Sequence, residues 1–413
     1  MNYAIDFQCT VCGRTYAFGA VRYTCPICGE VGTLDTRYDF ERMRAALQRD
    51  TPNTDSTMWR YRSLMPLAPD DAVPPLPVGG TPLIHVPRLA GALGLNALWI
   101  KDDGRNPTGS LKDRASAMVV AHAMRISAQV VTTASTGNAA AALAGVAASV
   151  GLKAMIFVPA RAPEAKIAQL LVYGATVFLV DGTYDDAFDL CLSAAERHGW
   201  YCRNTGINPY TTEGKKTVSF EIAEQFGWNV PDAVIVSVGD GSIIGGVYKG
   251  FADLHALGWI DRIPRLIGVQ ATGSASLHDA WQHGLSATAI QPIAAHTLAD
   301  SISSDLPRDR VKGLRAVQAS GGAFVTVTDE QIIRAIPDMA RLSGVFAEPA
   351  SAAAFAGLRV ALTSGIVDPA MRVVLLSTGN GLKDVRGAMQ SVGKGYPVGK
   401  TADALDQVMA TIG

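Results

Sequence analysis

The sequence predicts an α/β protein built on parallel sheets, and three observations predict it. Short apolar runs recur along the chain, at 97–100, 129–133, 154–158, 176–180, 233–238, 266–269, 324–327 and 373–376. Helical patterns lie between many of them, among them 111–125, 185–198 and 329–342. Strands that alternate with helices form parallel sheets covered on both faces. The third observation is composition. Hydrophobic residues at 48% fill a large core, and 41 glycines in 413 residues exceed the usual share of roughly 7%, as tight turns and close backbone approaches require. At roughly 150 residues per domain, such a chain divides into two or three domains.

Charge narrows the function. The 36 basic and 37 acidic residues leave a formal charge of −1, so neither nucleic acid nor an anionic membrane is an expected partner. Met1-Asn2-Tyr3-Ala4-Ile5-Asp6 has no basic start and no apolar run, unlike a secretion signal. The small-residue stretch 139–152 is shorter than the roughly 20 apolar residues of a membrane span. A cytoplasmic protein is expected.

In chain order, the first element is a small ribbon. Cys9-Thr10-Val11-Cys12 and Cys25-Pro26-Ile27-Cys28 are two knuckles whose four thiolates suit one tetrahedral Zn2+. Four thiolates leave no open coordination position, so the metal would be structural. The segment 41–77 follows, broken by Pro52, Pro66, Pro69, Pro74, Pro75 and Pro77, and reads as linker and arm. Trp59 and Arg60 are expected to pack this arm on the core or on a partner subunit. Cys191 and Cys202 read as buried thiols.

Ligands of parallel sheets sit at the carboxyl ends of strands, so the loops after the apolar runs are the candidates for chemistry. After 97–100, Pro107-Thr108-Gly109-Ser110 leads into Lys112 just inside a helix start. The glycine spacing of Gly104 and Gly109 mimics half a P-loop, but Ser110-Leu111 follows where Lys-Ser/Thr is required. What remains is a lysine that, once buried, loses its charge readily and can form a Schiff base. After 129–133, Ser135-Thr136-Gly137-Asn138 opens a helix of small residues, an anion-binding end. After 233–238, Gly239-Asp240-Gly241-Ser242-Ile243-Ile244 enters another helix; Ile244 stands where a dinucleotide fingerprint needs glycine, so a single phosphate is the better match. Asp240 must then point away from that phosphate. After 373–376 comes Ser377-Thr378-Gly379-Asn380.

These motifs in this order closely resemble the threonine synthase branch of the tryptophan-synthase-β-like, fold-type-II pyridoxal-phosphate enzymes. The resemblance extends to the Cys-x-x-Cys-Gly near the start, Met58-Trp59-Arg60-Tyr61, Gly79-Gly80-Thr81-Pro82-Leu83 and Ala347-Glu348-Pro349-Ala350-Ser351-Ala352, and so covers nearly the whole chain. It implies two α/β lobes with the cofactor between them: a ribbon and arm at 1–80, a large cofactor-binding lobe at 81–129 plus 206–413, and a small lobe at 130–205. It also implies pyridoxal 5′-phosphate as cofactor and a homodimer. Lys112 corresponds to the lysine that holds the cofactor and moves protons. Asn138 matches the side chain beside the cofactor's 3′-oxygen. Gly239, Asp240, Gly241, Ser242 and Ile243 match the phosphate cup, and Thr378 the hydroxyl facing the pyridine nitrogen. Ser135, Thr136 and Gly137 fall beside the substrate carboxylate.

The implied reaction takes O-phospho-L-homoserine, eliminates phosphate from the γ carbon and adds water at the β carbon to give L-threonine. The chain departs from the family pattern at Asp189, Ala139 and Asn380, which weakens the expected basic site for a substrate phosphate. Lys215, Lys216 and Arg308 are the replacement candidates, with Arg308 named as a substrate contact. The alternative activity is a dehydratase-like ammonia-lyase, or a β-replacement synthase, on a serine, threonine or diamino acid substrate. A zinc-ribbon nucleic-acid binder is the non-enzymatic alternative.

Overall fold

The computed structural model describes residues 3–51, 53–162 and 164–412. The N-terminal ribbon is a three-stranded antiparallel sheet of β1 (Ala4–Cys9), β2 (Thr15–Tyr16) and β3 (Leu34–Tyr38), with β1 in the middle. Its small core is aromatic: Phe7 meets Phe18 edge-on at 4.8 Å and Tyr210 of the main body at 5.7 Å. The segment after it is more ordered than a linker. Proline spacing does not reveal the helix Phe40–Ala46, capped by Asp39, or the 3-10 turn Met58–Leu64, capped by Thr57. Trp59 in that turn is buried, Arg60 pairs with Glu224 at 2.6 Å, and Tyr61 donates to the same carboxylate. The arm is thus fixed to the helix Thr217–Gln225 of its own chain.

The remaining strands are β4 (Leu83–His85), β5 (Ala97–Asp102), β6 (Val130–Ala134), β7 (Lys153–Pro159), β8 (Thr176–Val180), β9 (Tyr201–Cys202), β10 (Ala233–Ser237), β11 (Arg265–Ala271), β12 (Ala323–Val327) and β13 (Arg372–Ser377). Every apolar run singled out in the sequence is one of them. A six-stranded sheet runs β12-β11-β10-β13-β5-β4, parallel except for the edge pair β4–β5. A four-stranded, fully parallel sheet runs β8-β7-β6-β9. Its strands fall in the chain between β5 and β10, so one lobe is inserted into the other. Each residue of β10, Ala-Val-Ile-Val-Ser, is buried, as expected for a central strand covered by helices on both faces.

The ribbon lies against both sheets' lobes. Tyr23 Oη accepts the N–H of Cys202 at 2.7 Å, and Arg22 donates to the carbonyl of Trp200 at 2.9 Å. On the other side, Lys312 donates to the Leu34 carbonyl at 2.8 Å and Lys249 to that of Thr36 at 3.0 Å. Cys191 and Cys202 are buried free thiols. Among the described residues, no helix is long and apolar enough to cross a membrane.

Candidate active site

The four loops singled out in the sequence meet at the carboxyl ends of their strands. Lys112 heads the helix Lys112–Arg125, which follows β5 through a turn pinned by its neighbours. The Asp113 carboxylate accepts the N–H of Thr108 at 2.7 Å and also its hydroxyl, closing the Pro-Thr-Gly-Ser turn over the helix start. The turn is tied to β13 as well: Leu111 donates to the Thr378 carbonyl at 2.9 Å and Asn380 to that of Gly109 at 3.0 Å. Lys112 and Thr378 are thereby held in one frame.

Two residues beyond Lys112 in sequence lies the anchor of that frame. Arg114 is fully buried, and its guanidinium bonds Asp103 at 2.7 Å and Glu221 at 2.6 and 2.8 Å. Lys101 adds a 2.6 Å bond to Glu221, whose carboxylate also accepts the N–H groups of Gly80 and Thr81. The Gly-Gly-Thr-Pro-Leu motif is therefore part of the scaffold under the lysine.

Lys112, Asn138, Ser237, Ile243, Ser301, Glu348 and Thr378 line one cleft. Burial, then the charge of Arg203, pulls the Lys112 amine down to about 8, so its neutral form is far more accessible near neutral pH than that of an ordinary lysine. The loop 239–242 enters the helix Ser242–Ala256 through Gly241, whose φ of +85° and 2.8 Å approach to the Asp309 carbonyl exclude a side chain. The first N–H groups of this helix have no intrahelical acceptor and face outward as an anion cup. Asp240 Oδ1 accepts from Ser304 Oγ at 3.1 Å and Arg308 N at 3.3 Å.

Asn138 donates one of its amide hydrogens to Glu348 Oε1 at 2.8 Å. Burial raises the Glu348 carboxyl above its ordinary value. Glu348 was legible only as part of a motif; its place in the cleft wall comes from a backbone bridge between Ala347 and Asn380. Ser237 is a further lining residue that sequence reasoning missed, and its buried hydroxyl has no hydrogen-bond partner among the described residues.

Ser135, Thr136 and Gly137 cap β6 ahead of the helix Asn138–Ser149, with Gly137 facing Ser301. Arg308 is not among the residues that line this cleft, although its backbone N–H bonds Asp240 of the glycine-rich loop. Its guanidinium pairs with Glu30 of the ribbon at 2.8 Å and Asp185 at 3.4 Å and stacks on Phe188, so those carboxylates already occupy it. Asp186, next to Asp185, closes a capping box with Thr183 and so has a structural role at the helix start. Lys216 is likewise engaged, by Glu213 at 2.6 Å and Asp253 at 2.8 Å. Lys215 has no such partner among the described residues.

The donor set fits pyridoxal phosphate. It offers a partly neutral amine, a backbone cup for one phosphate, a hydroxyl at Thr378 and the unpartnered hydroxyl of Ser237. The ribbon fits zinc: the sulfurs of Cys9, Cys12, Cys25 and Cys28 all lie within 4.8 Å of one another, and Cys12 and Cys25 are 3.8 Å apart. Tetrahedral Zn–S bonds of about 2.3 Å place sulfurs ~3.8 Å apart.

Comparison with known proteins agrees with this geometry. The model of the pyridoxal-phosphate dependent enzyme family matches residues 75–379. A threonine synthase of Methanocaldococcus jannaschii is 38% identical over 387 residues, spanning 93% of this chain and 94% of that protein. One from Methanosarcina acetivorans is 38% identical over 91% of this chain and 92% of its own length. Among solved structures, the processed form of threonine deaminase isoform 2 from Solanum lycopersicum aligns at a TM-score of 0.65, with 24% identity, over 76% of this chain and 84% of that one. A diaminopropionate ammonia lyase from Escherichia coli aligns at 0.65 with 20% identity over 76% and 87% of the two chains. The two structures share the fold, while the sequence relatives align over more than nine-tenths of the chain: the chain belongs to the threonine synthase branch of the fold-type-II pyridoxal-phosphate-dependent enzymes.

Proposed function

We propose that this chain converts O-phospho-L-homoserine and water to L-threonine and inorganic phosphate. The observation that carries the reading is the cleft itself, which sets the Lys112 amine among Asn138, Thr378 and the loop ending at Ile243, in a chain akin to proteins named threonine synthase over nearly its full length. When bound, pyridoxal phosphate supplies the electron sink for carbanion chemistry.

The chain's own residues do the rest. The N–H groups of Gly239, Asp240, Gly241, Ser242 and Ile243 hold the cofactor phosphate at the head of the helix Ser242–Ala256. Thr378 would offer the cofactor a neutral hydroxyl, where a carboxylate would keep the ring nitrogen protonated, and such a site would favour elimination and replacement over amino-group exchange. Asn138, itself held by Glu348, would help to hold the ring. Ser135, Thr136 and Gly137 receive the substrate carboxylate at the N-terminus of the helix Asn138–Ser149. Lys112 Nζ takes the proton from the substrate α carbon and then moves the β proton, tasks suited to an amine poised near neutrality. Phosphate departs from the γ carbon and water enters at the β carbon. The lobes divide at 1–80, 81–129 plus 206–413, and 130–205.

With O-phospho-L-homoserine, inorganic phosphate and threonine are expected to accumulate in equal amounts. A 2-oxo acid and ammonia without phosphate would replace this activity with that of an ammonia-lyase.

The ribbon is proposed to hold one structural zinc. Burial works against ionisation of Cys25, but the Tyr16 hydroxyl and the N–H groups of Cys28 and Ile27 bring its thiol down to about 6. Elemental analysis is expected to find one zinc per chain, lost in Cys12→Ser together with part of the thermal stability. Metal-free protein as stable as the parent would remove the zinc from this account.

A further inference from the structure

Two buried cations near Lys112 have donor atoms without acceptors. Lys215 ends the helix Tyr210–Lys215, is 0% exposed, and its Nζ has no hydrogen-bond partner among the described residues. Its root is wedged on the helix of the phosphate cup: a Cβ on Gly246 would stand 2.7 Å from the Lys215 Cβ. Arg203 follows β9 and is equally buried. Its Nε reaches Ser116 Oγ at 3.3 Å and its Nη1 reaches Thr205 Oγ1 at 2.8 Å, while Nη2 has no hydrogen-bond partner among the described residues. Lys216, the next residue after Lys215, shows what a structural lysine looks like here, with two carboxylates and the Tyr38 ring at 4.1 Å.

Lys112, Arg203 and Lys215 gather at the first turns of one helix: Arg203 bonds Ser116, one turn beyond Lys112, and a Cβ on Gly214, next to Lys215, would stand 2.0 Å from the Arg114 carbonyl oxygen. The carboxylates facing them are committed only in part: Asp240 accepts from Ser304 and Arg308, Glu348 accepts from Asn138, and Asp309 Oδ2 accepts from Ser242, while Asp309 Oδ1 has no hydrogen-bond partner among the described residues. Buried charge is stable when it is paired, and unmatched buried donors in a native fold ask for an explanation. An anion answers both requirements at once.

We propose that Arg203 and Lys215 bind a phosphate group in the cleft, and that the phosphate is the substrate's. This inference rests on the function proposed above and names the side chains that select its phosphorylated substrate. The chemistry suits the task, since a guanidinium and an ammonium together match a dianion with charge-assisted hydrogen bonds. The assignment to substrate follows from the backbone cup at 239–243, which already provides for one phosphate at the helix head. The two side chains come from different elements, β9 and the helix Tyr210–Lys215, and give a second phosphate its own donors. They also account for an anion site in a chain whose Arg308 and Lys216 are engaged elsewhere.

The test uses holoenzyme with Lys215→Gln and Arg203→Gln, which keep polarity and remove charge. Three quantities are read: KM for O-phospho-L-homoserine, the inhibition constant of inorganic phosphate, and the cofactor dissociation constant. The first two are expected to rise about tenfold or more, as loss of a charged hydrogen bond implies, with cofactor affinity held within about twofold. A rise in the cofactor dissociation constant alone would move the phosphate from substrate to cofactor and overturn the assignment to substrate. No change in any of the three would overturn the phosphate site altogether. Should either variant fail to fold, parent holoenzyme is heated with inorganic phosphate and with chloride at equal ionic strength. Phosphate-specific stabilisation supports the site, and equal midpoints overturn it. A parent that forms no complex with pyridoxal phosphate would instead fail the underlying reading of the cleft.

Discussion

Replacing Lys112 with alanine is expected to lower turnover by about a thousandfold or more, since the positioned proton carrier alone contributes roughly 10²–10⁴-fold in such reactions. The same change removes the covalent attachment of the cofactor, so the purified variant is expected to lose the yellow colour of the parent. Its fold should survive, because the Lys112 side chain lies along the cleft while Asp113 and Arg114 anchor the helix start. The amine's low basicity adds a pH dependence. Burial and Arg203 hold it at about 8, against about 10.4 for an ordinary lysine. The neutral form, which attacks the cofactor aldehyde, therefore grows as pH rises through about 8 and is nearly complete above it. Cofactor uptake by apoenzyme, followed by absorbance, should accelerate over that interval and then level off. A rate still climbing steeply towards pH 10 would mean an unperturbed lysine.

The second large effect is structural. Arg114→Met should destabilise the protein by about 3–5 kcal/mol, the usual result of removing one partner from a buried ion pair. Asp103 loses its guanidinium, and Glu221 keeps only Lys101 among its cationic partners. That is a large part of a typical total stability of about 5–15 kcal/mol, so poor recovery of soluble protein is part of the expectation. Arg114→Lys should restore less than half of it, because an ammonium cannot make the forked bonds seen to both carboxylates. Denaturant titration checks both variants. A midpoint within error of the parent would show that the network contributes nothing to stability.

The legible part of this site was local. A glycine turn, a lysine at a helix start and the hydroxyl-rich strand ends can be read along the chain, because strand–loop–helix units place their chemistry at fixed ends of the sheet. The scaffold beneath Lys112 could not be read that way. Arg114 and Glu221 are 107 positions apart, and nothing local to either predicts their meeting. The paired lysines show a second limit. Successive helical residues point about 100° apart, so Lys216 turns to Glu213 and Asp253 while Lys215 is left without an acceptor, and only the packed helix distinguishes them. Arg308 shows a third. It was a candidate for the substrate's phosphate, yet its guanidinium pairs with the ribbon's Glu30, 278 residues away. The ordered arm at 40–64 escaped prediction because its stability comes from contacts with Glu224 rather than from its own pattern.

Lys215 gives the central assignment a demanding control, since a second buried amine of lowered basicity lies close to Lys112. Borohydride reduction of holoenzyme, followed by proteolysis and peptide mass mapping, asks which lysine carries the pyridoxyl group. The present account requires the label on the peptide containing Lys112 and an unmodified Lys215. A label on Lys215, or on neither residue, would contradict it.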